Sequence, residues 1–372
     1  SQSRATYRFG ATSIEVDIDD PDVARWLMEF LSPWFSIEAP DRAGLHVKMT
    51  SSWDRFSALA RREAESDPQP LPCFGLDSLL VFCPGWIEPD GTVLAADKEF
   101  GCYYQLRDNQ IEIISRPQDR PARIGLMRVV RELAMLRISP ETETLDLHAA
   151  AFVFRGRAIL LAGDKNAGKT TLLAHALSSN QTSLLANDRV IVDGSLLQAH
   201  GVPTVVSVRS NTEKAFSSLG HMLPRRAVLL HEGELAAADF GGADAEDRFV
   251  LSLAQFARQL NARVQPSAPI GAILFPEISP HLSTWSLKSL DPSEAAARFR
   301  SSVYGCRLGS RSETIFQKIT KTYTDAKVPD SFVDRLTTAV PMMRCLLGRD
   351  VYYESPDNWL KALPIKDGTA PL

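Results

Sequence analysis

The chain has 372 residues, of which 44% are hydrophobic and 23% charged, and its formal net charge is −4. This composition predicts an ordinary globular protein that is long enough for two domains, and a weakly negative charge does not favour nucleic acid as a partner. No apolar stretch approaches the roughly 20 residues that span a bilayer, and Ser1 to Arg4 lack the apolar core of a signal peptide. We therefore expect a cytoplasmic protein that does not associate with membranes.

The first part of the chain predicts a small α+β module. Asp20 as N-cap and Pro21 at the first helical position begin a helix that ends near Leu31. Prolines at positions 68, 70 and 72 predict a loop, and a second helix is expected over about 122–137. Short apolar runs predict strands at 7–9, 14–16, 45–49, 79–82, 102–106 and 111–114.

Pro140 and the acidic stretch 141–143 mark the expected joint between two domains. Residues 1–143 would form the α+β N-terminal domain, for which recognition of an acceptor is one conceivable role. Residues 144–372 would form an α/β nucleotide-binding domain, because they carry the motifs described next.

A phosphate-binding loop of the pattern G-x-x-x-x-G-K-[ST] occupies residues 163–171. Its members are Gly163, Asp164, Lys165, Asn166, Ala167, Gly168, Lys169, Thr170 and Thr171. Glycines let backbone N–H groups close around phosphate oxygens, Lys169 reaches the outer phosphates, and the Thr170 hydroxyl can hold Mg²⁺. An apolar run at 158–162 before the loop and helical spacing of Leu172, Leu173 and Leu177 after it predict strand, loop and helix.

Residues 145–154 read as a strand that turns back at Arg155-Gly156 into the strand that precedes the loop. On a period of two, Asp146 and His148 share one face. A histidine in this apolar strand can orient a carboxylate or the nucleotide; a hydrogen-bonded core histidine is the alternative.

Asn187-Asp188-Arg189 interrupts the apolar run 184–192. Buried polar groups are costly unless they have partners, so a polar site beside this strand explains the interruption, with a surface turn as the alternative. Asp188 is the candidate metal carboxylate, and it follows Lys169 by only the length of one helix and a return strand.

Together, His148, the turn at Arg155-Gly156, the loop 163–171 and the run 186–190 resemble the HPr serine kinase family. That family in turn resembles phosphoenolpyruvate carboxykinases around the phosphate loop. The resemblance covers about residues 145–192, with weaker support from 290–297 and 340–350. It implies a P-loop kinase domain in which Lys169 and Thr170 bind triphosphate and Mg²⁺, Asp188 contacts the metal, and His148 supports the catalytic carboxylate.

The chain departs from the family pattern at Asn187. The family usually has an aspartate there, which is implied to be the general base, whereas an amide does not accept a proton at neutral pH. Either Asp188 takes over that role or the chemistry differs. The family's second, glycine-rich signature is also missing near 240–265, so the resemblance does not define the acceptor.

The sequence as a whole favours a kinase that transfers the γ-phosphoryl group of Mg-ATP to a hydroxyl, with Arg189 or Arg209 as candidate additional clamps. The acceptor can be a protein, a peptide or a small hydroxyl compound, and a homo-oligomer is compatible with the sequence. A nucleotide-binding regulator with little transfer activity is the alternative that Asn187 favours. A GTPase or transport ATPase is disfavoured, because the chain contains neither an Asn-Lys-x-Asp nor a Leu-Ser-Gly-Gly motif.

Overall fold

The helix predicted after Asp20 spans Pro21–Leu31 in the computed structural model of the protein. Asp20 Oδ1 accepts hydrogen bonds from the backbone N of Asp22 (2.9 Å) and Val23 (3.4 Å), which satisfies two amides of the first turn. The residues that the structure describes are 3–40, 44–75, 80–119, 121–135, 143–164, 167–209, 248–304, 313–320 and 328–365.

The described chain is an α/β protein with mixed sheets. Its helices are α1 Pro21–Leu31, α2 Trp53–Glu65, α3 Ala122–Met135, α4 Lys169–Leu177, α5 Leu253–Gln259, α6 Pro292–Ser301, α7 Ile315–Thr320, α8 Asp330–Ala339 and α9 Asp357–Leu360, with a 3₁₀ turn at Val351–Tyr353. None of these helices is long and apolar enough to cross a membrane.

The strands fall into two compact units, the first of which holds the described residues up to 135 together with 313–320. Its strands are β1 Ser3–Phe9, β2 Thr12–Ile18, β3 Ser36–Glu38, β4 Leu45–Ser51, β5 Gln69–Gly75, β6 Leu80–Ile87, β7 Val93–Asp97, β8 Cys102–Arg107 and β9 Gln110–Ser115. They form one sheet in the order β3-β1-β2-β4-β9-β8-β7-β6-β5, in which β2, β4 and β9 are mutually parallel.

The loop predicted from Pro68, Pro70 and Pro72 is confirmed at Pro68 but wrong at Pro70 and Pro72, because Gln69–Gly75 is strand β5. Within the described residues, β5 is the last strand of its sheet, and its partner is β6. A proline has no N–H to donate, so it is tolerated on an edge strand, whose outer side has no partner. Helix α2 and strand β7 also lie where no element was expected.

The second unit holds the described residues from 143 to 304 and from 328 to 365. Its strands are β10 Thr144–Leu147, β11 Ala149–Phe154, β12 Arg157–Ala162, β13 Thr182–Ala186, β14 Val190–Asp193, β15 Gln198–Gly201, β16 Val205–Arg209, β17 Arg248–Ser252, β18 Arg263–Val264, β19 Ser267–Ile278, β20 Trp285–Ser289 and β21 Met342–Leu347. The main sheet runs β10-β14-β15-β19-β12-β11-β13-β18, and β21 joins β19 and β20. The mobile loop predicted at 240–247 lies outside the described residues.

The hairpin predicted at Arg155-Gly156 is confirmed. β11 pairs with β12 in antiparallel register, with Phe154 opposite Arg157. Arg155 and Gly156 have φ of +50° and +70°, which is the geometry of a two-residue turn whose twist matches that of the flanking strands.

The strand predicted over 145–154 is divided at His148. Residues before His148 form β10 and pair with β14, whereas residues after it form β11 and pair with β12 and β13. The run 184–192 divides in the same way, because β13 pairs with β11 and β14 pairs with β10. His148 and residues 187–189 therefore lie where both chain segments pass from one ladder to the next.

Helices cover both faces of this sheet. Ala151, Val153 and Leu160 share a buried cluster with Phe299 of α6 and Phe332 of α8. Phe152 lies between two of these cluster residues and so points to the opposite face, where its ring contacts Trp359 at 5.9 Å between centroids. Helix α4 packs on β11, β12 and β13. The residues between β12 and α4 are therefore held at the end of a packed layer.

Candidate nucleotide-binding site

The predicted strand, loop and helix around residues 163–171 are confirmed. Strand β12 ends at Ala162, and α4 begins at Lys169. Gly163 and Gly168 have φ of +141° and +90°, values that residues other than glycine rarely adopt. Gly168 is the N-cap of α4 and supplies no side-chain acceptor to the first turn. Such a helix start is suited to receive an anion. Lys165 and Asn166 lie outside the described residues.

The ammonium group of Lys169 lies over this loop. Lys169 is buried, and its Nζ donates hydrogen bonds to the carbonyl oxygens of Gly163 (2.7 Å) and Asp164 (2.9 Å). Thr170 and Thr171 are partly buried in the first turn of α4. A positive charge beside a helix N-terminus is an arrangement that suits an anion such as phosphate.

The sheet topology brings His148 and residues 187–188 to the same edge as the loop. β11 lies between β12 and β13 and is antiparallel to both, with Ala149 opposite Ala162 and Ala151 opposite Ala186. The carboxyl ends of β12 and β13 and the start of β11 therefore meet at one edge. The spacing along the chain conceals this proximity, because 40 positions separate His148 from Asp188.

His148 and Asp188 form a hydrogen-bonded pair at this edge, with 3.0 Å between Nε2 and Oδ1. Desolvation opposes ionisation of Asp188, but the hydrogen bond from His148 and the charges of His148, Lys169 and Arg189 outweigh it and hold its pKa below the ordinary value. Asp188 is thus a carboxylate at neutral pH, and His148 donates its Nε2–H. The side chain of Asp188 remains 45% exposed and accessible to a ligand.

Arg189 and Asp146 form a second ion pair beside the first. Arg189 Nε donates to Asp146 Oδ2 at 2.7 Å, and its guanidinium lies 4.3 Å from the centre of the Tyr304 ring. The backbone N of Tyr304 donates to Asp146 O at 2.7 Å. Arg189 is therefore held by Asp146 and Tyr304, which favours a structural role over the clamp considered from the sequence. The side chain of Arg209 lies outside what the structure describes.

Asn187 is 6% exposed, and within the described part of the chain its Oδ1 accepts no hydrogen bond. An unsatisfied buried acceptor costs roughly 1–3 kcal/mol. The two residues that follow Asn187 both have partners, because His148 contacts Asp188 and the carboxylate of Asp146 contacts Arg189. The amide oxygen of Asn187 is thus suited to a donor or a cation brought by a ligand.

A segment near the carboxyl end of the chain packs on α4, a contact that sequence reasoning missed. Trp359 Nε1 donates to His175 Nδ1 at 3.2 Å, so His175 Nε2 carries the proton and donates to Glu354 O at 2.9 Å. Ser179 Oγ donates to Asp357 Oδ1 at 2.6 Å. These partners are about 180 positions apart in sequence, and no local pattern signals their contact.

Acidification is expected to destabilise the protein through His175. Burial lowers its pKa from the ordinary value near 6.5, although the carbonyl of Glu354 partly opposes this. The unfolded chain therefore binds this proton more readily than the folded chain. The contribution of His175 to the free energy of unfolding is complete above about pH 6.5. It is lost as the pH falls from there towards the pKa that His175 has in the folded protein.

The measurement is the thermal unfolding midpoint of the wild type and of His175→Phe across that pH range. His175→Phe should be less stable at neutral pH but should lose less stability on acidification. Replacement of the exposed His281 by alanine is the matched control and should leave the wild-type profile unchanged. Parallel profiles for wild type and His175→Phe would contradict the assignment.

A scan against models of protein families finds none that matches this chain. A search of curated proteins likewise finds no match.

Proposed function

We propose that the protein is an ATP-dependent kinase of the HPr serine kinase type, which transfers the γ-phosphoryl group of Mg-ATP to a hydroxyl. The observation that carries this proposal is the His148–Asp188 pair, 3.0 Å long, at the same sheet edge as the phosphate-binding loop. A carboxylate held beside a phosphate site is what transfer to a hydroxyl requires. The second unit would then be a P-loop kinase domain, preceded by a small α+β domain.

The residues of the loop fit a nucleoside triphosphate. The positive φ of Gly163 and Gly168 lets the backbone turn around phosphate oxygens. The Lys169 ammonium, which donates to two loop carbonyls, is close enough to donate to phosphate instead. Charge-assisted bonds to phosphate are roughly twice as strong as neutral ones. Lys169 would therefore exchange its carbonyl partners for phosphate oxygens.

The same site fits Mg²⁺. Thr170 and Asp188 would hold the ion, and the amide oxygen of Asn187 is a buried acceptor that lacks a partner among the described residues. Oxygen ligands of this kind suit Mg²⁺, which is usually held by one or two carboxylates together with phosphates. Bound Mg²⁺ would neutralise charge on the transferring phosphoryl group.

Asp188, rather than Asn187, is the group suited to receive the proton of the acceptor hydroxyl. His148 donates to Asp188 Oδ1 and thereby fixes the orientation of that carboxylate. Asp188 is ionised at neutral pH because its pKa lies below the ordinary value. An amide at position 187 cannot accept a proton, but it can orient the hydroxyl or contribute to the metal site. The acceptor would be a serine or threonine of a protein or peptide, or a small hydroxyl compound.

A nucleotide-binding regulator is the second candidate, and Asn187 is the observation that favours it. If the reaction requires a proton acceptor at position 187, this chain can bind ATP without transferring phosphate, because an amide stands there. The two candidates predict different results in two respects. One is whether the wild-type protein phosphorylates a suitable acceptor, and the other is whether a carboxylate at position 187 is needed for transfer.

Asn187→Asp is expected to change the transfer rate and its pH dependence by less than about tenfold, because Asp188 already serves as the base. The measurement follows label from γ-labelled ATP into a cell lysate of the source organism, and then detects one added phosphate on the isolated acceptor by intact mass. Transfer by wild type would eliminate the pure regulator. Tight ATP binding with transfer only in Asn187→Asp would overturn the kinase proposal.

A further inference from the structure

Three side chains from separate segments surround the last glycine of the loop. A Cβ placed on Gly168 would lie 3.6 Å from Leu347 Cδ1, 3.9 Å from Ile278 Cγ1 and 3.9 Å from Tyr352 Oη. Leu347 is the last residue of β21, and Ile278 is the last residue of β19. Tyr352 lies in the 3₁₀ turn that follows β21 in the chain. We call Ile278, Leu347 and Tyr352 the apolar shelf.

The shelf presents apolar surface to solvent directly beside a polar site. Ile278 is 67% exposed, whereas Leu347, which stands opposite it in the pairing of β19 with β21, is buried. Tyr352 is partly buried, and its ring meets that of His175 edge to face at 5.4 Å. Exposed apolar surface next to convergent polar groups is typical of a ligand-binding site. The contact with His175 packs Tyr352 against α4, the helix that begins at the loop.

The shelf and the His148–Asp188 pair lie on opposite sides of β12. In the sheet order, β11 and β13 lie on one side of β12, and His148 and Asp188 are just beyond the ends of these two strands. β19 and β21 lie on the other side of β12. Strand β19 pairs with β12 up to Leu274 and continues to Ile278, past the point where β12 ends. Its end therefore stands beside the loop.

In the proposed reaction the γ-phosphate faces Asp188, and β19 and β21 lie on the other side of β12 from that residue. We propose that the base of the nucleotide packs against the apolar shelf, an inference that rests on the proposed binding of ATP. A flat aromatic base covers aliphatic and aromatic side chains well, and such contact removes the exposed surface of Ile278 from water. The Tyr352 hydroxyl lies at the loop end of the shelf, within reach of the nucleotide's polar atoms.

The test compares ATP with inorganic tripolyphosphate, which carries the same charged groups without a nucleoside. Ile278→Ser is the informative variant, because an exposed side chain can be shortened with little effect on folding. Leu196→Ser is the matched control, since Leu196 is 71% exposed and lies in the turn that leads to β15. Residues 198–200 of β15 pair with residues 267–269 of β19, at the opposite end of β19 from Ile278.

Calorimetric titration with Mg²⁺ present should show that Ile278→Ser lowers affinity for ATP about tenfold and leaves affinity for tripolyphosphate unchanged. Leu196→Ser should change neither affinity. The quantity compared is the ratio of the two affinities, which cancels any general effect on the loop.

Three results would overturn the inference. Unchanged ATP affinity in Ile278→Ser would overturn the shelf while leaving the proposed function intact. An equal loss for ATP and tripolyphosphate would mean that Ile278 acts through the loop rather than on the base. A wild-type protein that binds neither ligand would overturn the proposed function and the shelf together.

Discussion

Lys169→Ala is expected to abolish Mg²⁺-dependent ATP binding, with a loss of affinity of about a hundredfold or more. Among the described residues, the Lys169 ammonium is the charge that donates to the loop carbonyls of Gly163 and Asp164, and the nearby Arg189 is held by Asp146. Alanine leaves the triphosphate without this charge. Calorimetric titration with ATP and Mg²⁺ measures the loss directly.

Lys288→Ala is the matched control for this experiment, because Lys288 is an exposed lysine on β20 of the same unit. It should bind ATP as wild type does. Circular dichroism of both variants separates a lost charge from a lost fold, since Lys169 also ties together its own loop. Wild-type affinity in a folded Lys169→Ala protein would contradict the assignment of the phosphate-binding loop.

Asp188→Asn is expected to lower the rate of phosphoryl transfer by about a thousandfold while the protein remains folded. The substitution keeps the shape of the side chain and its capacity to accept from His148 Nε2, but it removes the ionised carboxylate. Both the proposed Mg²⁺ site and the proposed acceptor hydroxyl would lose their negative partner. His148→Ala should have a smaller effect, because it removes the group that orients Asp188 rather than the carboxylate.

The transfer assay with the identified acceptor measures these effects, and thermal unfolding checks the fold. Asp334→Asn is the matched control, since Asp334 is an exposed aspartate on α8. It should retain the wild-type rate. A soluble Asp188→Asn protein with full activity would mean that the Asn187-Asp188-Arg189 interruption is only a turn between strands.

Local chemistry in the sequence was sufficient for several elements. Asp20 and Pro21 define the start of α1 because capping involves only residues three positions apart. Arg155-Gly156 predicts its hairpin, since a two-residue turn depends on the φ values of those two residues. The loop before α4 was predicted for the same reason. Whether it binds nucleotide stays a prediction.

Elements that depend on distant partners were beyond local reasoning. The prolines of β5 read as a loop because nothing in that segment reveals that it is an edge strand, where a missing N–H costs little. The run 145–154 read as one strand, although its two halves pair with different neighbours on either side of His148.

Within the candidate site, the sequence alone identified the candidate residues, namely His148, Asn187, Asp188 and Lys169, but not their contacts. Only the tertiary structure decided that His148 contacts Asp188 and not Asn187. Asn187 and Asp188 are only one position apart in the chain, so the choice between them depends on how the chain turns between β13 and β14. The same holds for the apolar shelf, because Gly168 meets Ile278 and Leu347 only through the parallel pairing of β12, β19 and β21.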